Sequence, residues 1–226
     1  MTRLAHKTLR ALATVVALHV ASPSAASGQN LLTNASFEEP NIVSTNNYAL
    51  YGNGFTGITG WTVVGGTQLT PDTYLGLPAS QGRQWLDLTG ITGYDKGVRS
   101  NAISVMLGQS YTISWDIGNY LPFGVSTMGL GLNGGSELLY TNASLAVTPF
   151  SPMNWMRFTR TWVADAPTLQ LEFLGRANGS LSQELVIGLD NVSVTQDIAV
   201  VPEPASVVLM ATGFAGIAVV ARRKRA

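Results

Sequence analysis

Twelve carboxylates fall between Ser27 and Val201. Asp87, Asp95, Asp116, Glu137, Glu172 and Glu184 are the ones whose pairing would suit hydrolysis of a glycosidic bond. That reaction needs two carboxyls roughly 5–9 Å apart, one of them with a raised pKa. None of the six sits in a motif that assigns it a role, and Asp116 and Glu172 occupy polar positions of alternating segments, as residues of a solvated sheet face do. Other chemistries are closed by composition. The chain has no cysteine, and its two histidines, His6 and His19, lie in the first twenty residues. The central chain therefore has no imidazole or thiol with which to build a Ser-His-Asp triad, a Cys-His pair, a Cys/His zinc site or a disulfide framework. Oxygen ligands and carboxylate, lysine or tyrosine chemistry remain, with Lys96 the one lysine of that region.

Charge narrows the partners. The formal net charge is zero, but Arg3, Lys7 and Arg10 open the chain and Arg222, Arg223, Lys224 and Arg225 close it. Between Ser27 and Val201 six basic residues face twelve acidic ones, leaving this stretch at −6. Six scattered cations do not make a phosphate-binding surface, so nucleic acid is not an expected partner.

Both ends read as addresses. Residues 1–26 combine a basic start, the apolar run Ala11–Val20 and the small residues Ser24-Ala25-Ala26, the layout of a cleaved secretory signal. Ten apolar residues are too few to span about 30 Å of hydrocarbon. At the other end Pro202-Glu203-Pro204 closes a linker over 196–204. An uncharged segment, 205–221, follows, and then the basic tail 222–226. Seventeen helical residues reach about 26 Å, the short end of a transmembrane helix, and basic residues favour the cytoplasmic side. A core helix is the rival reading, but four consecutive cations at its end argue against burial.

The order Pro202-Glu203-Pro204, apolar segment, Arg222-Arg223-Lys224-Arg225 resembles the PEP-CTERM sorting signal of Gram-negative bacteria. The resemblance implies processing by a membrane-embedded exosortase. The chain would be held transiently in the inner membrane with its domain outside, then displayed at the cell surface or released into the matrix. It also implies association with exopolysaccharide and biofilm.

Between the two addresses, 27–195 reads as one β domain. Ile113-Trp115-Ile117, Met156-Phe158-Arg160-Trp162 and Leu169-Leu171-Phe173 each alternate with polar neighbours, the period of half-buried strands. Gly134-Gly135 is expected to turn a hairpin, and Asn41–Gly60 to form a long irregular loop. The expected fold is all-β, an antiparallel jelly-roll β-sandwich. The landmarks Phe37-Glu38, Gly60-Trp61, Trp85-Leu86-Asp87-Leu88, Gly108-Gln109-Ser110-Tyr111-Thr112 and Leu189-Asp190-Asn191-Val192 look like those of galactose-binding-like jelly rolls, especially choice-of-anchor surface proteins. This second resemblance implies adjacent first and last strands and a structural Ca2+ shared by Glu38 and Asp190.

It also directs attention to aromatic residues, whose rings can take the C–H face of a sugar. Loop positions are the better candidates, because strand packing does not explain an aromatic there. They are Tyr51 (with Tyr48 and nearby asparagines), Tyr94, Tyr120 and Phe123. Trp85 joins them with its exposure undecided, since it shares a strand face with Asp87 while Gln84, Leu86 and Leu88 share the other. The other tryptophans, Trp61, Trp115, Trp155 and Trp162, read as core. The expected function is non-catalytic: an exported module that binds extracellular polysaccharide. A matrix or adhesion protein without a sugar site, or a carboxylate-based glycan hydrolase, are the alternatives.

Overall fold

Alternating apolar residues need a second layer to bury them, and here each sheet supplies the other's. The computed structural model describes residues 28–89, 95–120, 125–144, 153–176 and 186–197. The signal segment 1–26, Tyr94, Phe123, the sorting residues Pro202, Glu203, Pro204, Arg222 and Arg223, and the apolar stretch 205–221 lie outside them. Six antiparallel strands form one sheet. In spatial order they are β1 (Ala49–Gly52), β3 (Gly66–Pro71), β4 (Gln84–Asp87), β13 (Ile187–Gln196), β7 (Ser110–Asn119) and β10 (Asn154–Val163). Facing it are β2 (Trp61–Val64), β5 (Lys96–Ser100), β12 (Leu171–Arg176), β8 (Ser126–Leu132) and β9 (Leu138–Asn142). A short pair, β6 (Ile103–Ser104) with β11 (Thr168–Leu169), completes the all-β, jelly-roll-like sandwich.

The core lies between the sheets. Leu69, Leu86, Leu189, Ile117, Trp115 and Ile113 face Trp61, Val63, Val98, Phe173, Leu130 and Met128, all of them buried. Trp115 of one sheet meets Phe173 of the other at 5.7 Å between ring centroids, with Tyr140 edge-on at 4.7 Å.

The start of the domain runs beside β13. Leu31 N donates to the Val194 carbonyl and Val192 N to the Ala35 carbonyl, both at 2.9 Å, while the Asn30 side chain bonds both Val192 and Val194. Two expectations shift. The β8–β9 turn centres on Asn133-Gly134, not Gly134-Gly135. Both have positive φ, 52° and 71°, the demand of a tight hairpin, and Gly135 N closes it on the Leu132 carbonyl at 2.9 Å. The stretch Asn41–Gly60 is not all loop, since Ala49–Gly52 pairs with β3 as the sheet's edge strand.

Candidate functional site

Strand register aligns one residue from every strand of the larger sheet into a row on the face turned away from the core. Leu50 pairs with Gln68, Gln68 with Asp87, Asp87 with Gly188, Gly188 with Gly118, and Gly118 with Trp155. Their neighbours Leu69, Leu86, Leu189 and Ile117 point into the core, so period two sends this row outward. The two glycines leave a gap in the side-chain layer, and the Trp155 indole lies over it. A Cβ on Gly118 would stand 2.8 Å from the Trp155 ring carbon Cζ3, and one on Gly188 would stand 2.8 Å from Cη2. Trp155 is half-buried and fixed, its Nε1 donating to the Pro78 carbonyl at 2.9 Å. Trp85 stands edge-on to it at 6.0 Å, and Tyr120, Leu77, Met153 and Val186 close a second apolar cluster around the pair.

At the other side of the gap sit a carboxyl and a carboxamide. Asp87 Oδ1 accepts from Thr89 N at 2.9 Å, Thr89 Oγ1 at 2.6 Å and Ile187 N at 3.3 Å. Burial pushes its pKa up to about 6, against those hydrogen bonds, which lower it. Gln68 Nε2 donates to Thr70 Oγ1 at 3.1 Å.

The long β3–β4 connection, residues 72–83, is strapped across the neighbouring part of the same face. Ser80 Oγ donates to Asp116, and Gln81 N donates to Asp190 Oδ2 at 2.8 Å. Arg83 N and Gln84 N donate to Glu38 Oε1 at 2.8 and 2.9 Å. Arg157 locks the underside, donating to Asp116 Oδ1 at 3.1 Å, the Asn191 carbonyl at 2.6 Å and Ser114 Oγ at 2.6 Å. A bulge between Asp190 and Ser193, with Asn191 at φ 51°, sends both flanking side chains to this face.

The structure sorts the sequence candidates. Trp85 is 1% exposed, with its Nε1 bonded to the Leu77 carbonyl at 3.2 Å. It offers no ring face to a sugar, because Leu77 and Ala79 of the strap cover it on the outer side of the sheet. Tyr51 turns toward the core and stacks on Phe55, 4.2 Å between centroids and 5° from parallel. Tyr120 does belong to the row's surroundings. Asp116 is not on a solvated face as expected, since it is buried beneath the strap, whereas Glu172 pairs with Arg99. Trp155, Gln68 and Asp87 were not among the expected ligand-binding residues. A legible signal existed for one of them: Trp155 shares the phase of Arg157, Thr159 and Thr161, not that of Phe158 and Trp162.

Glu38 and Asp190 do grip one segment, residues 80–84, from two distant points of the chain. Asp190 is wholly buried, and burial, with Asp116 adding repulsion, pushes it up to about 8 despite the N–H groups of Gln81, Asn191 and Ser80. Calcium held by these two carboxyls would have to draw its remaining oxygens from backbone carbonyls. Among the described residues no three His, Cys, Asp or Glu side chains gather at metal-holding distance.

Comparison with known proteins adds an address and a fold. Residues 200–225 match the family described as the PEP-CTERM protein-sorting motif. The chain carries that sorting signal. It is therefore an exported protein with a C-terminal membrane-anchoring sorting signal. No curated protein matches the chain. An apo-form cyclase from Fischerella sp. is 18% identical, aligning over 78% of this chain and 99% of its own, with a TM-score of 0.55. A Stig cyclase from Fischerella sp. TAU, in complex with an indole compound, is 18% identical over 78% and 100%, with a TM-score of 0.53. The CBM22-1 xylan-binding domain of Paenibacillus barcinonensis Xyn10C is 20% identical over 78% and 99%, with a TM-score of 0.43. At these identities the likeness is one of fold.

Proposed function

We propose that this exported sandwich is a non-catalytic polysaccharide-binding module, and that it binds along the row crossing the outer face of its larger sheet. One observation carries the reading: an indole laid over two adjacent glycines, with a buried carboxyl and a carboxamide across the same row. A sugar needs both halves, an aromatic surface for its C–H face and fixed polar groups for its hydroxyls. Trp155 supplies the first and Gln68 and Asp87 the second, with Tyr120 at the margin. The rest of the address follows from the sorting signal: an exosortase processes the chain, and the module ends at the cell surface or in a biofilm matrix. On this reading a structural Ca2+ joins Glu38 and Asp190 and braces the strap.

The test is a broad glycan array probed with the mature chain, followed by affinity electrophoresis in the host's own exopolysaccharide. Retention that falls at least tenfold in Trp155→Ala supports the site. Silence across the array, or retention indifferent to Trp155, removes it. Reducing ends released from the bound polysaccharide would instead make the protein a hydrolase.

A further inference from the structure

Sandwich ends usually carry polar turns, because a turn exposes both its backbone and its side chains to water. The turn into β7 departs from this. Met106, Leu107, Gly108 and Gln109 form it, Gln109 N donating to the Met106 carbonyl at 3.1 Å and Gly108 taking φ 75°. Met106 is 57% and Leu107 62% exposed. Val163, the last residue of β10, is 58% exposed and stands beside them, since Gly108 N donates to the Ala164 carbonyl at 2.8 Å and Ala164 N to the Gln109 carbonyl at 2.9 Å. Three open apolar side chains thus share one end of the sandwich.

The chain leaves the domain from that same end. Asp197 is the last described residue, and its N–H bonds the Ser110 carbonyl at 2.9 Å, while the Ser110 and Thr112 hydroxyls donate to its carboxylate. Eight residues later the sequence begins its uncharged run at Ala205. Eight steps at about 3.6 Å reach at most roughly 29 Å. The ten residues of β10 span about 33 Å, so the opposite end of the sandwich stands a full strand length farther from the tether.

We propose that Met106, Leu107 and Val163 form a lipid-contact patch that rests on the bilayer interface while the chain is membrane-anchored. The patch is too small to recruit a free protein to lipid, but a short tether holds it at high effective concentration near the surface, where a few apolar side chains suffice. Exposed Asp165 and Asp197 lie at the same end of the sandwich. The inference is independent of the glycan reading, since it uses the other end of β10.

The absence of cysteine makes the test clean. The full chain carrying Gln109→Cys, labelled with a polarity-sensitive fluorophore, is reconstituted in phosphatidylcholine vesicles that contain lipids spin-labelled near the headgroup. The reference is Ala143→Cys, exposed at the opposite end just past Asn142, which pairs with Ser126. The expected result is lipid quenching at least threefold stronger at 109 than at 143, with aqueous iodide showing the reverse order. Adding M106S, L107S and V163S should bring the 109 probe down to the 143 value. Equal quenching at the two positions overturns the proposal. So does protection at 109 that rises with protein density and persists in vesicles without spin label, because a second copy then covers the patch.

Discussion

Asp190 and Gln81 are 109 positions apart in sequence, yet the carboxylate of one accepts the backbone N–H of the other at 2.8 Å. That bond, with those of Glu38 to Arg83 and Gln84, turns a loop into a strap lying over a sheet face. It decides which part of the face is sealed and which stays available around Trp155.

Asp190→Ala should loosen the strap and cost stability. The Gln81 and Asn191 N–H groups lose their acceptor in a partly buried setting, at about 0.5–1.5 kcal/mol for each bond. Urea unfolding gives the loss. Limited proteolysis should cut within 72–83 in the variant before it cuts elsewhere, and equal cleavage of the two proteins would show that the strap is held by other contacts.

Stability should fall as pH rises through the range set by Asp87. Burial raises its folded pKa from the ordinary 3.8 to about 6, so the folded state holds this proton more tightly than the unfolded chain does. The contribution is complete below about pH 4 and gone above about pH 6, with an upper size of about 3 kcal/mol. Asp87→Asn keeps an acceptor for Thr89 and has no charge to bury. Melting curves at pH 4 and pH 7 should therefore differ less in the variant than in the parent.

The two glycines under Trp155 should tolerate no side chain. Gly188→Ala places a methyl 2.8 Å from the Trp155 ring and 2.9 Å from Met153 Cε, and Gly118→Ala meets the same ring. Either should displace the indole, shift the tryptophan emission and lower glycan retention about as far as Trp155→Ala does. Tyr51→Ala should destabilise, by roughly 2–4 kcal/mol as for other large-to-small changes at a core margin, and leave retention per folded molecule unchanged.

Calcium, if it joins Glu38 and Asp190, raises the melting temperature by linkage, since it binds the folded chain alone. At a hundred times its dissociation constant the gain is about 2.7 kcal/mol. Glu38→Gln should abolish the gain. Melting curves that superimpose with calcium and with chelator would remove the cation from the account.

Much of this architecture was legible without coordinates. Period-two runs in β7, β10 and β12 name their own inward residues, because a strand alternates faces whatever it pairs with. The address at 200–225 is equally local, readable from the order of a Pro-Glu-Pro, an apolar run and a basic cluster. What the chain could not disclose by itself is how β4, β7, β10 and β13 are set side by side. Register between strands about 100 residues apart is a property of the assembled sheet, and only register brings Asp87, Gly188, Gly118 and Trp155 into one row. The same holds for Trp85. Its alternation allows either face, and its burial comes from the loop just before it folding back over it, held there by the distant carboxyls of Glu38 and Asp190, whose partners are backbone N–H groups that no side-chain pattern reveals.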